Sequence, residues 1–269
     1  MNRREELLIE MGLGPVWRLR SSVDTAVVAE APVGEEAESA DVNSIGVDTA
    51  GVDSVETDDR VHAAPKPRPP QPPMTPDMLE RRERIAKMGW DELKSTVAEC
   101  TACGLCKTRN KTVFGVGDES ADWLIVGEAP GAEEDQRGEP FVGQAGQLLD
   151  SMLEAMDLSR QKKVYIANVL KCRPPSNRNP DAAEVQQCSA HLERQIALVK
   201  PKLILAMGRF ATQSLLNTDA SIASLRGKTF HYQGVPTVVT YHPAYLLRNL
   251  EDKAKSWEDL CYAQSVLPS

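Results

Sequence analysis

The sequence predicts an α/β fold of three layers, with a central four-stranded parallel sheet flanked by helices. Four short apolar runs rich in β-branched residues indicate buried strands, at 123–127, 164–169, 203–207 and 235–240. Helical segments lie between or after these runs, at 145–156, 180–199, 209–216 and 253–266. Strands that alternate with helices are typical of a parallel sheet covered on both faces.

Composition divides the chain into three parts. Residues 21–64 contain no Leu, Phe, Tyr or Trp, so they cannot bury enough apolar surface to offset the entropy of ordering. A Pro-rich spacer follows at 65–73. We therefore expect a disordered acidic and Pro-rich linker at 21–74, between a short N-terminal segment (1–20) and a folded domain (75–269). Thr75 is the expected N-cap of a helix that runs to about Glu99.

The negative charge of the chain belongs to its N-terminal arm. The whole chain contains 31 Lys and Arg residues and 39 Asp and Glu residues, which gives a net charge of −8. Residues 1–75 hold 7 of these basic and 14 of these acidic residues, and the remainder holds 24 and 25. The nearly neutral remainder is compatible with binding a polyanion, because what matters there is where basic residues cluster.

No apolar run approaches the roughly 18 residues that a membrane-spanning helix requires, and residues 1–20 lack the apolar core of a signal peptide. We therefore expect a cytoplasmic protein without a membrane anchor. Its cysteines are then expected to be metal ligands or free thiols, since disulfides are rare in a reducing compartment.

Four of the six cysteines form two separated pairs, which are Cys100, Cys103, Cys172 and Cys188. The Cys-x2-Cys spacing of the first pair places two sulfurs on one tight turn, and the second pair can complete a four-thiolate shell. Such a shell suits zinc or an iron–sulfur cluster, and the sequence by itself does not choose between them. Cys106 and Cys261 are expected to be spare, although Cys106 is close enough to the first pair to be a rival ligand.

In parallel α/β sheets, ligands bind beyond the carboxyl ends of the strands. That rule selects four loops, at 127–146, 168–180, 207–210 and 241–250. In the first loop, glycines allow close backbone approach to a ligand, and Phe141 could stack on a planar ring. The alternative for this loop is a solvated acidic, Gly-rich turn. It is not a phosphate-binding P-loop, because no Gly-Lys-Ser/Thr follows.

The other loops carry further candidates, each with a structural alternative. Asn168 can present a donor and an acceptor to an amide-like edge, or can cap its own loop. The 207–210 turn leads into a helix N-terminus that could attract a phosphate. His242 lies at a strand end, where this fold places chemistry, although a lone His is more often structural. Leu246 and Leu247 could wedge into a base stack, or could pack against the domain.

Six motifs follow one another along the chain. They are Cys-Thr-Ala-Cys at 100–103, Gly-Glu-Ala-Pro-Gly at 127–131, Glu-Asp-Gln-Arg-Gly-Glu-Pro-Phe-Val-Gly-Gln-Ala-Gly-Gln-Leu-Leu at 134–149, Asn-Val-Leu-Lys-Cys-Arg-Pro-Pro-Ser-Asn-Arg at 168–178, Arg-Gly at 226–227 and His-Pro-Ala-Tyr-Leu-Leu-Arg-Asn at 242–249. Together these motifs resemble the type-4 uracil-DNA glycosylases, a family that carries a [4Fe–4S] cluster. The resemblance covers about residues 95–265 and does not extend to residues 1–75.

The resemblance implies a role for each matching position. The cluster ligands would be Cys100, Cys103, Cys172 and Cys188. The substrate-binding residues would be Ala129, Pro130, Phe141, Asn168 and His242. The catalytic residues would be Glu128, Glu134 and His242, and which of the two carboxylates positions the water stays open. Glu134 would also lie near uracil C5, where a thymine methyl would collide. The expected DNA contacts are Arg173, Arg178, Arg209, Lys228, Leu246, Leu247 and Arg248.

The implied function is a monomeric DNA repair enzyme that flips uracil out of DNA and hydrolyses its N-glycosidic bond. The cluster would be structural, although a redox-sensing role stays open. Two alternatives remain: a related glycosylase with broader base choice, and a metal-stapled module that binds nucleic acid without cleaving it.

The N-terminal segment carries a separate hypothesis. Its apolar stripe is compatible with a short helix, and Leu-Gly-Pro-Val-Trp-Arg-Leu-Arg at 13–20 resembles the N-terminal peptide of the clamp-loader psi subunit, which docks on the chi subunit. We therefore expect residues 1–20 to bind a protein of the replication machinery. The alternative is a frayed amphipathic end.

Overall fold

The computed structural model describes residues 3–11 and 73–267. Most of the predicted linker lies outside these residues. The centre of the domain is a six-stranded mixed sheet with the order β1-β3-β2-β4-β6-β5. The strands are β1 (Val116–Gly117), β2 (Trp123–Gly127), β3 (Val164–Asn168), β4 (Leu203–Met207), β5 (Thr229–Tyr232) and β6 (Val235–Thr240).

The four inner strands run parallel and coincide with the four predicted runs. The prediction of a four-stranded sheet was nevertheless incomplete, because β1 and β5 add antiparallel edges to β3 and β6. Neither edge carries a continuous buried apolar run: β1 has only two residues, and β5 is partly exposed along its length. Such edges give no signal in a search for buried strands.

The helices cover both faces of the sheet. They are α1 (Arg3–Glu10), α2 (Pro76–Ile85), α3 (Trp90–Ala98), α4 (Ala132–Arg137), α5 (Gln144–Ala155), α6 (Ala182–Val199), α7 (Arg209–Leu216), α8 (Ile222–Leu225), α9 (Pro243–Leu246) and α10 (Asp252–Val266). Thr75 is the N-cap of α2, as predicted, and its Oγ1 accepts a hydrogen bond from the Met78 amide at 3.4 Å. The single helix expected up to Glu99 is instead two helices, because the chain turns before Gly89, the N-cap of α3.

Alternate strand residues point to opposite faces and build two apolar cores, which gives the predicted three layers. Ile125 and Leu205 face a core shared with α5 and α10. Their neighbours Leu124 and Ile204 face the other core, shared with α6 and α7. The loops after β2, β3, β4 and β6 therefore emerge at one edge of the sheet, where this class of fold binds ligands.

The described part of the N-terminal segment is helical, as its apolar stripe indicated, so the disorder expected of the N-terminal arm does not extend to residues 3–10. Helix α1 packs against α5, with Leu7 and Met11 buried in the same core. Arg3 pairs with Glu154 at 3.2 Å. The rest of the arm as far as residue 72, including Trp17, lies outside the described residues. Within the described ranges, no helix is long and apolar enough to cross a bilayer.

Candidate active site

The loops that leave the carboxyl ends of the parallel strands line one cleft of about 520 Å³. The structure brings together in this cleft nine of the residues predicted from the sequence: Glu128, Ala129, Pro130, Glu134, Phe141, Asn168, Arg178, His242 and Arg248. They come from three of the four predicted loops, and the fourth loop contributes Phe210. The predicted convergence of the loops is therefore present in the fold.

A glycine at the end of β2 allows two of these side chains to meet. Gly127 is paired with Asn168 across the parallel strands. A Cβ atom at Gly127 would lie 2.4 Å from Asn168 Oδ1 and 2.6 Å from Phe141 Cζ. Because real Cβ atoms do not approach so closely, only glycine at this position lets the amide and the ring share the floor of the cleft.

Phe141 adopts a left-handed backbone conformation, with φ of 54°, which costs a non-glycine residue roughly 1–2 kcal/mol. The guanidinium of Arg160 stabilises this conformation by donating to the Pro140 carbonyl at 2.7 Å and to the Phe141 carbonyl at 2.5 Å. Its Nε donates to Asp150 at 2.6 Å. Gly146 leaves room for the same carbonyl, since a Cβ there would lie 1.8 Å from the Phe141 oxygen.

His242 is held as a neutral hydrogen-bond donor. Its Nδ1 accepts a hydrogen bond from the Ala244 amide at 3.1 Å, so in the neutral ring the proton is on Nε2. Burial lowers the pKa of His242 to about 4, against a smaller opposing effect of Glu134. The imidazole stacks on the Phe141 ring with a centroid distance of 5.4 Å. At neutral pH the site therefore presents an uncharged Nε2–H beside an aromatic face.

The two carboxylates of the cleft have different surroundings. Burial raises the pKa of Glu128 to about 7, so this group can exchange a proton near neutral pH. Both oxygens of Glu134 instead accept backbone hydrogen bonds, from the amides of Gly131 at 3.1 Å, Val142 at 3.0 Å and Gly143 at 3.3 Å. These contacts tie the two ends of the first loop together, so Glu134 fixes the loop that carries Phe141.

A second, smaller cavity lies behind the loop that follows β3. It is lined by the four paired cysteines, Cys100, Cys103, Cys172 and Cys188, together with Arg109, Lys171 and other residues. Cys106, also within the described part of the chain, is not among the lining residues. In the described ranges, no three His, Cys, Asp or Glu side chains are placed to hold a single metal ion, whereas the four thiols face this shared space.

Three of these thiols accept hydrogen bonds from nitrogen donors. Arg81 donates to Cys100 Sγ at 3.4 Å and Arg109 donates to Cys172 Sγ at 3.1 Å. The main-chain N–H of Lys171 donates to Cys188 Sγ at 3.3 Å. Donors and cations around buried sulfurs favour the thiolate form that a metal group requires. The donor set therefore fits a group held by four cysteines.

Several predicted DNA contacts already have partners within the protein. Arg178 pairs with Glu184 at 2.5 Å while lining the cleft, and Arg173 donates to Asn177 at 2.8 Å. Lys228 donates to the Ser224 carbonyl at 3.0 Å. Arg209 is exposed at the start of α7.

The two leucines of the last loop differ in exposure. Leu246 is 0 % exposed and belongs to an apolar core, whereas Leu247 is 38 % exposed. Leu246 therefore packs against the domain, which was the structural alternative for this pair. Of the two leucines, only Leu247 is accessible at the surface.

Sequence reasoning missed Arg160, Phe210 and Tyr245. Arg160 reaches Phe141 from 19 residues away, and no local motif marks such a contact. Phe210 and Tyr245 line the cleft from loops that had been selected by the strand-end rule. Both are aromatic residues next to a predicted DNA contact, since Phe210 follows Arg209 and Tyr245 precedes Leu246. Their position beside these contacts could have identified them from the sequence.

Comparison with known proteins identifies the class to which this fold and cleft belong. Residues 114–262 match the family model of the uracil DNA glycosylase superfamily. The chain is 43 % identical over 165 residues to the type-4 uracil-DNA glycosylase of Archaeoglobus fulgidus. This match covers 58 % of the chain and 82 % of that relative. It is 40 % identical over 185 residues to the type-4 uracil-DNA glycosylase of Thermotoga maritima. That match covers 66 % of this chain and 96 % of the relative.

A more distant similarity, 34 % identity over 146 residues, links the chain to a type-5 uracil-DNA glycosylase of Pyrobaculum aerophilum. That match covers 48 % of this chain and 64 % of the relative. The chain belongs to the uracil-DNA glycosylase superfamily and, within it, to the type-4 family.

Proposed function

We propose that this protein removes uracil from DNA by hydrolysing the N-glycosidic bond, which releases free uracil and leaves an abasic site. One observation carries the proposal: an aromatic face, an amide and a neutral imidazole N–H, from Phe141, Asn168 and His242, line the same cleft. This set matches a flat base with polar groups along its edge. The names of the type-4 relatives support the same activity.

Uracil inside a duplex is out of reach of this cleft, so the enzyme must flip the nucleotide out of the stack. Flipping costs a few kcal/mol and costs least from a mispair or a single strand. Uracil opposite guanine is therefore expected to react faster than uracil opposite adenine. Arg248 lines the cleft and can contact a phosphate, while the exposed Leu247 can fill the gap left in the stack.

Recognition of the flipped base falls to Phe141 and Asn168. The Phe141 ring stacks on the pyrimidine plane, and the Asn168 amide pairs with the N3 and O4 edge of uracil. Cytosine presents the opposite donor and acceptor at that edge, so it would leave buried polar groups unpaired. Such a mismatch is heavily penalised in a site with little water.

Bond cleavage transfers negative charge to the base and positive charge to the sugar. His242 Nε2–H donates to uracil O2, and this hydrogen bond strengthens as the C1′–N1 bond breaks with its electron pair on uracil. A neutral imidazole keeps its proton during this step. The hydrogen bond therefore favours the transition state over the bound substrate.

Glu128 acts on the sugar side of the bond. Its ionised carboxylate stabilises the oxocarbenium-like sugar and orients a water toward C1′. The water oxygen bonds to C1′, its proton passes to Glu128 and then to solvent, and the uracil anion takes a proton from solvent. We assign this role to Glu128 rather than Glu134, because the oxygens of Glu134 are occupied by three backbone amides.

We also propose that Cys100, Cys103, Cys172 and Cys188 hold a [4Fe–4S] cluster. Such a group supplies a rigid link between the end of α3 and the 172–188 segment, and hydrolysis needs no electron from it. Lys171 connects this cavity to the cleft, since its Nζ donates to the Asn168 carbonyl at 2.8 Å. Broad absorption near 400 nm in the purified protein would separate a cluster from zinc.

For residues 1–20 we retain the proposal of a replication partner, with one modification. Leu7 and Met11 are buried against the domain, so the partner is expected to use the remaining residues of the segment. A pull-down with residues 1–25 that recovers no replication protein would remove the idea. The cytoplasmic location and the monomeric state remain predictions.

The activity test uses an end-labelled oligonucleotide with one uracil, incubated with the protein and then treated with alkali. Strand scission at the uracil is expected, with none on the matched thymine oligonucleotide. His242→Ala is expected to slow the single-turnover rate by about 10²–10³-fold. The control His231→Ala, at an exposed position in β5, is expected to change it by less than about two-fold.

The alternatives give different outcomes in the same assay. Absence of scission by the wild-type protein, with retained DNA binding, would favour a binding module. Scission of oligonucleotides that carry hypoxanthine, or thymine opposite guanine, would favour a glycosylase with broader base choice.

A further inference from the structure

Phe210 is an aromatic residue of the cleft that the proposed mechanism does not use. It is the second residue of α7 and is partly exposed. Among the described residues, it belongs to none of the three apolar cores, yet it lines the cleft that contains Phe141 and His242. A large ring that packs into no core and faces a binding cleft is available for a ligand.

The turn before Phe210 lies in close contact with His242. Gly208 has a φ of +85°, and a Cβ at this position would lie 2.8 Å from the Cβ of His242. The Gly208 amide donates to the Thr240 carbonyl at 2.9 Å. The start of α7 is therefore fixed directly beside His242, and the Phe210 ring is held close to the site of the flipped base.

A cation accompanies this ring. The guanidinium carbon of Arg209 lies 5.7 Å from the centroid of the Phe210 ring, and the Arg209 side chain is exposed. An aromatic face next to an exposed arginine is the combination by which proteins hold single-stranded nucleic acid, with the ring stacking on a base and the cation near the backbone.

The size of the cleft leaves room for more than one base. Its volume of about 520 Å³ is within the range that encloses drug-sized ligands, and uracil, with eight heavy atoms, is much smaller. Glu128, Phe141, Asn168 and His242 line this cleft, and Phe210 lines it as well, together with Asn177, Asn179 and Tyr245.

We propose that Phe210 binds, by stacking, the nucleobase adjacent to the flipped uridine in the same strand, while Arg209 contacts the backbone phosphate beside it. This inference depends on the proposed function, since it assumes that uracil lies against Phe141, Asn168 and His242. It assigns to Phe210 a sequence-tolerant contact that raises affinity for DNA over a free nucleoside.

The test removes either the Phe210 ring from the protein or the nucleobase next to the uracil nucleotide from the DNA. Single-stranded oligonucleotides with one uridine carry, on its 5′ or 3′ side, either a normal nucleotide or an abasic tetrahydrofuran. Wild type, Phe210→Ala and Phe210→Trp are compared on these oligonucleotides. Fluorescence anisotropy gives Kd, single-turnover assays give the rate of uracil release, and steady-state assays give KM. Phe230→Leu, in β5 and partly buried against a core, is the matched control.

Phe210→Ala is expected to weaken binding of the normal oligonucleotide by about 5–100-fold and to have less than about two-fold effect when the neighbouring base is absent on one side. Phe210→Trp should restore binding, and Phe230→Leu should affect all oligonucleotides equally. Equal losses for Phe210→Ala on all oligonucleotides, or no loss on any, would overturn the proposal. A wild-type protein that binds DNA without releasing uracil would instead refute the proposed function, and the anisotropy data would still decide the role of Phe210.

Discussion

The cleft and the cysteine cavity are joined by one loop, after β3, but they differ in the groups that surround their buried side chains. In the cleft, burial favours neutral forms: it lowers the pKa of His242 to about 4 and raises that of Glu128 to about 7. In the cavity, burial also raises the pKa of Cys188 to about 12, yet cationic and N–H donors surround the sulfurs.

This difference in surrounding groups indicates which kind of ligand each region can bind. The cleft is ready for a neutral base whose charge develops only during reaction, so the hydrogen-bond donor His242 is held uncharged and oriented. The cavity has donors that become favourable only when the sulfurs carry negative charge, as they do when they bind a metal group. The chemistry proposed for the cleft therefore needs no cofactor, whereas the cavity would be stabilised by the metal group proposed for it.

The largest expected effect comes from removing a thiol from the cavity. Cys172→Ser should abolish absorption near 400 nm and lower the free energy of unfolding by about 3 kcal/mol or more, roughly 10 °C in Tm. Uracil release should fall with it, because Lys171, next in the chain, donates to the Asn168 carbonyl. Spectra, thermal melts and the scission assay measure these effects.

Cys106→Ser is the matched control for that experiment. Cys106 is near Cys103 in sequence but does not line the cavity, so its variant should keep the absorbance, the Tm and the activity. If the two variants lost absorbance equally, the ligand set would have to include Cys106.

A smaller effect, with opposite signs for activity and stability, is expected at Glu128. Glu128→Gln removes the carboxylate that orients water, so the single-turnover rate should fall about 10²-fold. In the wild-type protein the same carboxylate must be ionised, so the rate should fall as the pH drops through about 7. The glutamine variant should lose this dependence, which a pH–rate profile measures.

The stability change at Glu128 follows from the direction of its pKa shift. The pKa is raised from 4.5 to about 7 in the folded protein, so the unfolded chain ionises first as the pH rises. The fold therefore loses stability between about pH 4.5 and 7. Glu128→Gln should be more stable than wild type at pH 8, by about 1–2 kcal/mol after allowance for partial solvent exposure, and equal at pH 4. A variant that was less stable at pH 8 would contradict the assignment.

The same two regions show how far sequence patterns reach. The four parallel strands could be predicted because each is a continuous apolar run buried on both faces. Once those strands were placed, the strand-end rule located the loops that carry Phe141, Asn168 and His242. The paired cysteines were visible from their spacing.

Other features depend on contacts between distant parts of the chain, which no local pattern encodes. Arg160 lies in a polar turn that resembles any solvated loop, yet its guanidinium reaches two carbonyls beside the cleft. Leu246 and Leu247 are adjacent and identical in type, but only the tertiary packing buries one and exposes the other. The edge strand β1 exists because Gly117 permits an approach at which a Cβ would lie 2.2 Å from the Val164 carbonyl.

The smallest effect, and the sharpest test of how the cleft is built, is expected at Arg160. Its planar guanidinium spans two successive carbonyls and a carboxylate, an arrangement that the single ammonium of lysine cannot reproduce. Both Arg160→Ala and Arg160→Lys should therefore release the strained backbone of Phe141 and misplace its ring. The expected loss in single-turnover rate is about 10–100-fold, with a smaller change in DNA affinity.

A double-mutant cycle distinguishes this positioning role from a general loss of stability. If Arg160 acts through Phe141, then Arg160→Ala should cost about 10–100-fold in wild type and almost nothing in a Phe141→Ala background. Arg194→Ala is the control, because Arg194 also donates to a main-chain carbonyl, that of Met88, away from the cleft. Additive losses in the cycle would mean that Arg160 supports the domain as a whole, and the conformation of Phe141 would then have to be maintained by Gly146 and the packing around the ring.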